Sequence, residues 1–217
     1  DGILNSAIGG GEKMVQFLLN EGADPNTPDQ YGSKPVKSAA SYGSRSVVKL
    51  LLDAGASMFD LDGASTSALH LAGKDSSVLA LLIERGADVN ALTKTGASPL
   101  MMAAVHNNPE SIQLLLDAGA DVHQVDKNGL TALSYLAKVW KPDLAVAKLL
   151  LAHKTDPNAG LEGSRPLMIA CAFGYFEDRY SRPTKLEDDF KAPLIALLLK
   201  AGANPNIKTE PSSWDGL

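Results

Sequence analysis

The chain has 217 residues, 45% hydrophobic and only 6% aromatic, with 20 basic against 25 acidic side chains and a formal net charge of −5. Lys and Arg are scattered among Asp and Glu, which excludes the concentrated basic stripe a nucleic-acid partner requires. No apolar run approaches bilayer-spanning length, and the single cysteine, Cys171, excludes an internal disulfide and points to a reducing compartment.

Residues Asp1 to Ser6 carry no basic flank and do not read as a signal peptide. An opening at Asp1 without Met reads as a fragment of a longer polypeptide. From there one phrase recurs: a Leu-rich run, two linking residues, then Gly-Ala-polar. It ends at Asn26 (FLLNEGADPN), Phe59 (LLLDAGASMF), Asn90 (LLIERGADVN) and His123 (LLLDAGADVH), with weaker copies ending at Asn158 (LLLAHKTDPN) and Asn206 (LLLKAGANPN). The intervals are 33, 31, 33, 35 and 48 residues, the signature of a repeat architecture. Each run, such as Val47, Val48, Leu50, Leu51 and Leu52, makes an apolar helical face. Gly22, Gly55, Gly86, Gly119 and Gly202 follow where a left-handed cap is needed. His153-Lys154 stands there in the fifth copy, so that cap is expected to be strained or rebuilt.

A second element alternates with the first: Asp29 to Ala40, Asp62 to Gly73, Thr93 to Ala104, Asp126 to Ala137, and a shorter version from Leu161 to Cys171. Asp-x-x-Gly predicts a tight turn, Ser or Thr caps a new helix, and Pro suits its first turn. Paired alanines (Ala39-Ala40, Ala103-Ala104) let a neighbouring helix approach closely.

Taken together, the turn, the Ser/Thr-Pro-Leu-His helix start, the Ala-Ala pair, the bend glycine (Gly43) and Leu-Leu-Leu-x-x-Gly-Ala-Asp resemble the ankyrin repeat over nearly the whole chain. Only His70 keeps the motif histidine; Lys37, Met101, Ser134 and Met168 replace it. The resemblance implies an all-α solenoid of about six helix–turn–helix repeats forming a single domain over residues 1–217, each repeat buried against its neighbours. It also implies that His70 ties neighbouring turns together. Asp215-Gly216-Leu217 looks like the opening of a further repeat.

Three repeats break the period. The third is two residues short near Gly73-Lys74-Asp75, the fifth two residues longer at Val139 to Pro142, and the sixth carries an insertion at 175–191 with Pro183 interrupting any continuous helix.

No catalytic constellation emerges, and no enzyme is expected. Gly9-Gly10-Gly11-Glu12-Lys13 lacks the Lys-Ser/Thr ending and preceding strand of a phosphate loop, and falls at an inter-helix bend. His70, His106, His123 and His153 lie in different registers, so no metal or other cofactor is expected. Cys171 reads as a buried small hydrophobe. Asp24, Asp88, Asp121 and Asp156 recur with the repeat, which marks them as turn formers. Adjacent polar residues Glu177 to Tyr180 on the insertion are poorly preorganised for catalysis.

By resemblance, recognition belongs to the concave face, built from turn tips and exposed inner-helix positions. These are Gln30, Tyr31, Ser33, Ser41 and Tyr42 in the second repeat, then Lys94, Thr95, Ala97, Val105 and His106 in the fourth. The fifth supplies Lys127, Asn128, Leu130 and Lys138, and the sixth Leu161, Ala172 and Phe173. Tyr31, Tyr42 and Phe173 are the expected anchors, with Trp140 and Tyr175 at the opposite edge. The expected role is a protein-binding module or scaffold, monomeric in isolation, in the cytoplasm, nucleus or a host cytosol. A second reading makes the chain a substrate: Leu82-x5-Asp88-Val89-Asn90 resembles ankyrin sequences modified by asparaginyl hydroxylases, with hydroxylation at Asn90. A third makes it the regulatory or targeting part of an enzyme or bacterial effector whose catalytic part lies elsewhere.

Overall fold

The computed structural model describes residues 2–58, 65–161, 163–172 and 185–206, without the side chains of 185–189. Among these residues are twelve α-helices and no strand, in six consecutive pairs. They are α1 (Ile3–Ile8) with α2 (Glu12–Asn20), α3 (Pro35–Tyr42) with α4 (Arg45–Asp53), and α5 (Ala68–Leu71) with α6 (Ser76–Glu84). Then come α7 (Pro99–His106) with α8 (Pro109–Asp117), α9 (Ala132–Lys138) with α10 (Leu144–Ala152), and α11 (Pro166–Ala172) with α12 (Lys185–Lys200). Odd-numbered inner helices pack on one another, as do the even-numbered outer helices, each contacting its counterpart in the next pair. The all-helical solenoid expected from the period is what the chain forms.

The core is one continuous cluster threaded between pairs. Val47, Val48 and Leu51 of α4, Leu79 and Leu82 of α6, and Ile112 and Leu115 of α8 are fully buried. Each such side chain contributes about 1.5–3 kcal/mol by leaving water. Ala39, Ala40, Ala103 and Ala104 are fully buried where inner helices meet. A larger side chain at these filled positions would force its neighbours to shift.

Five of the six outer helices end in the same way. In α4, Gly55 N–H donates to Leu52 O (3.1 Å) and Ala56 N–H to Leu51 O (2.9 Å), with Gly55 at φ 88°. This paired closure needs a left-handed residue that only Gly adopts without cost. Gly22, Gly86, Gly119 and Gly202 repeat it. In α10 the position is Lys154, at φ 63°. There the second bond, Thr155 N–H to Leu150 O, stretches to 3.4 Å, and the Thr155 hydroxyl donates to the same carbonyl at 2.7 Å. The cap is both strained and rebuilt.

The expected Ser/Thr caps hold for three inner helices: Ser67, Ser98 and Thr131 precede α5, α7 and α9. In the second repeat Lys34, not Ser33, occupies the cap and makes no capping side-chain bond. The preset φ of Pro35 starts α3 instead. The short third repeat ends its inner helix in a 3₁₀ turn, Ala72–Lys74, and Gly73 lies against the next inner helix. A Cβ on Gly73 would sit 2.9 Å from Ala103 Cα, so close approach fixes that glycine.

The sixth repeat departs from expectation. The segment 175–191 is not all inter-helix insertion, because α12 begins at Lys185 and runs 16 residues, where the other outer helices have nine. Pro183 lies ahead of its start, and Pro193 sits inside it. Residues 173–184, with Phe173 and Tyr175, lie outside the described residues. Cys171 is exposed, not buried. It occupies the position of Ala40 and Ala104, but no further described inner helix packs against α11 to cover it.

Candidate functional site

The tips between repeats are built by side chains that replace backbone partners. Asp29 Oδ1 accepts from Tyr31 and Ser33 N–H (both 2.9 Å), and Asp126 Oδ1 from Asn128 (2.9 Å) and Leu130 N–H (2.8 Å). Thr93 does the same for Ala97 N–H through its hydroxyl (3.0 Å). The fourth and fifth tips are stitched together, with Lys127 N–H donating to Thr95 O at 2.9 Å, and the Ser164 hydroxyl donates to Gly129 O of the fifth tip at 2.9 Å. Along this stretch the rim is connected and presents its side chains from a fixed backbone.

Below the rim, the third and fifth repeats tie their turns to the next. Ser67 N–H donates to His70 Nδ1 (3.2 Å), so the proton sits on Nε2, which donates to Ala97 O (3.2 Å). The fifth repeat makes the same link without histidine: Ser134 Oγ donates to Ser164 O at 2.6 Å. Under the rim, Tyr135 OH donates to Asp126 Oδ2 (2.9 Å). Burial first, and then the Asp126 carboxylate, push the Tyr135 phenol up to about 12.

A further ladder, missed in the sequence as a set, runs along the outer loops. Asn26 Nδ2 donates to Gly55 O (3.0 Å) and its Oδ1 accepts from Ser57 N–H (2.8 Å). Asn90 does the same to Gly119 O (3.1 Å) and Asp121 N–H (2.8 Å), and Asn158 to Gly202 O (2.9 Å) and Asn204 N–H (2.7 Å). Asn107 bridges the bends in the same way, to Lys141 O and Asp143 N–H. The signal was a repeated Asn in one register; only the amide, with a donor and an acceptor side by side, serves both groups. Asn90 is exposed, yet both ends of its amide are committed to these bonds. Asp24, Asp88, Asp121 and Asp156 each accept from the N–H two residues on, as turn formers should.

The expected surface residues divide into two groups. Gln30, Tyr31, Ser41, Tyr42, Lys94, Thr95, Val105, His106, Lys127, Asn128, Leu161 and Ala172 are exposed. Lys138 is half-buried, with Nζ 5.3 Å from the centre of the Tyr135 ring. Ser33 is half-buried and its carbonyl accepts from Asn5 Nδ2 (2.6 Å), which gives it a structural post in the tip. Leu130 and Ala97 are buried in the core and present nothing to a partner, because the tip folds them under their own turn. Trp140 is exposed at the lengthened bend, and Phe173 lies outside the described residues.

Charge is distributed unevenly over the two faces. On the outer helices Arg45 pairs with Glu84 (3.7 Å), and Lys49 (2.6 Å) and Arg85 (2.8 Å) both reach Asp53, holding its carboxyl below the usual range. On the concave face Lys74, Lys94 and Lys127 are exposed and form no ion pair among the described residues. Burial and then the Lys74 charge lower the His106 imidazole, favouring its neutral form. Among the described residues no group of three His, Cys, Asp or Glu is placed to hold a metal ion, and burial pushes the Cys171 thiol up, away from thiolate reactivity. No described helix is long and apolar enough to cross a membrane.

A family model for ankyrin repeats matches the sequence three times, over residues 3–62, 57–126 and 100–178. The chain belongs to the ankyrin repeat family. Ankyrin repeats are in general non-catalytic modules for protein–protein interaction. Among curated proteins the chain is similar to the E3 ubiquitin-protein ligase KEG of Arabidopsis thaliana (37% identical, over 37% of this chain and 5% of that protein). It also resembles the ankyrin repeat domain-containing protein SAT10 of Stachybotrys chartarum (34%, over 42% and 5%) and the nuclear factor NF-kappa-B p105 subunit of Gallus gallus (38%, over 36% and 8%). In each case the chain covers a small fraction of the relative's own length.

Proposed function

We propose that this ankyrin stack is a binding module that recognises another protein through its concave face, as one part of a longer polypeptide. The observation that carries the reading is the pair of tyrosines in the second repeat. Tyr31 at a tip is 83% exposed and Tyr42 at the end of α3 is 69% exposed. Large aromatic surface left in water at two such positions stabilises nothing in the fold, and aromatics concentrate binding energy at interfaces. Side-chain bonds that fix the tips from within and amides that bridge successive outer loops leave less conformational entropy to lose on binding. The recurring acids Asp24, Asp88, Asp121 and Asp156 are occupied as turn formers.

The test is affinity purification from the native host with the wild-type chain and a variant carrying Tyr31→Ala, Tyr42→Ala, Lys94→Ala, Lys127→Ala and Phe173→Ala. A specific partner retained by the wild type and lost by an equally folded variant supports the concave face. Retention of the same partner by the variant moves the interface elsewhere.

A further inference from the structure

We propose that the concave face of the third to fifth repeats binds an acidic segment of the partner protein. This rests on the protein-binding reading above and adds the chemistry of what is bound. The chain as a whole is acidic, with a net charge of −5. Its described tip and inner-helix-end positions in these repeats are nevertheless cationic: Lys74, Lys94, Lys127 and Lys138. Five described acids of the same repeats hold other posts, while Asp60 and Asp62 of the third tip lie outside the described residues. Asp88 and Asp121 close turns after the outer helices, Asp75 and Asp143 cap α6 and α10, and Asp126 is buried beneath Tyr135.

Two of the cations stand on joined tips. The rim joins Lys127 to Thr95, next to Lys94, by a backbone bond of 2.9 Å. At the bend level, Lys74 Cε lies 3.6 Å from where a Cβ on Gly43 would stand, directly after Tyr42. Lys74 also acts electrostatically on His106 in the next repeat. Asp75, beside Lys74, directs its Oδ1 to Ser77 and Val78, while its Oδ2 lies 3.1 Å from the same point beside Gly43 and its charge acts on Lys74. The shortened third bend brings this about: with two residues missing, Gly73 seats against Ala103 and His106, and Lys74 falls into the row between Tyr42 and His106. Outer-face cations find carboxylates on neighbouring helices, whereas Lys94 and Lys127 form no ion pair among the described residues and Lys74 has the charge of Asp75 beside it. Exposed ammonium groups on two joined tips, with Lys74 and Lys138 at the bend ends of inner helices, are complementary to carboxylates on a partner chain.

Random peptides displayed against the wild-type chain test this. Binders are then measured by fluorescence anisotropy at low and physiological salt, with single-stranded DNA as a second polyanion. The expected binders are rich in Asp and Glu and weaken as salt rises. They lose about tenfold or more in affinity with Lys74→Glu, Lys94→Glu, Lys127→Glu and Lys138→Glu combined, and less with the four Gln replacements. Neutral or basic binders that are lost with Tyr31→Ala and Tyr42→Ala would overturn the acidic assignment while leaving the concave face standing. Acidic binders indifferent to both sets of substitutions would overturn both. DNA bound more tightly than any peptide, or a selection yielding no binder, also counts against the proposal.

Discussion

The boundary between the third and fourth repeats and that between the fifth and sixth do the same structural work with different chemistry. At the first, outer helices α6 and α8 end on Gly86 and Gly119, and His70 reaches the next turn. At the second, Lys154 stands in for glycine with a Thr155 hydroxyl in support, Ser134 replaces the histidine link, and α12 arrives with extra turns. Lys191 of α12 is buried and donates from Nζ to Ala137 O (2.6 Å) and to Val139 O, capping the end of α9. An array tolerates exchange of side chains at a junction so long as the same backbone groups are satisfied. The irregular junction meets that condition with side chains that titrate or carry strain, so its failures should differ in kind.

The largest expected difference is in pH dependence. Burial lowers the Lys191 ammonium from the ordinary 10.5 to about 8. Between those values the unfolded chain holds a proton that the folded chain has released, so stability rises with pH through this window and the cost of burying the charge is full below it. The shift corresponds to at most about 3 kcal/mol. The neutral amine still has two protons for the two carbonyls. Denaturant titrations from pH 7 to 9.5 should show this rise in the wild type and no rise in Lys191→Met, where the raised Cys171 thiol leaves only a fall toward the upper end. The window ends there because Tyr135, raised to about 12, acts oppositely above pH 10. An equal slope in both proteins would show that Lys191 is solvated.

The regular devices were legible because they recur. Five capping glycines, the turn-forming aspartates and the paired alanines each appear in one register, and a single physical reason accounts for every copy. The substitutes were not legible. Ser134 reads as a lost histidine until Ser164 O is found 2.6 Å from its hydroxyl, and Lys191 reads as part of a charged insertion until α12 begins at Lys185. Both depend on distances across repeats, which periodicity does not encode. The candidate surface was read from register alone, which placed Tyr31 and Lys94 correctly in solvent. Leu130 was placed there wrongly, because the period gives a position along the tip and not the direction of the side chain.

The asparagine ladder is where the two boundaries should agree. Asn90→Ala and Asn158→Ala each remove two hydrogen bonds between successive outer loops, and each should cost about 1–2 kcal/mol in urea unfolding, partly offset by water at these exposed sites. A cost at Asn90 well above that at Asn158 would mean that the regular boundary depends on its amide more than the irregular one does. The comparison would then extend to this ladder as well.

The smallest expected effects separate strain from repair at the α10 cap. Lys154→Gly relieves a left-handed lysine and should stabilise by about 1 kcal/mol, whereas Gly119→Ala at the matching position of α8 should destabilise by a similar amount. Thr155→Val removes the hydroxyl that reinforces Leu150 O and should cost about 1 kcal/mol in the wild type. In the Lys154→Gly background that cost should shrink. With glycine the Thr155 N–H can close from 3.4 Å toward the 2.9 Å that Ala120 N–H keeps to Leu115 O, and the carbonyl then needs the hydroxyl less. A double-mutant cycle measured by thermal melts reads that coupling directly. Additive effects would mean that the hydroxyl is bonded there for its own sake and that the cap had no defect for it to repair.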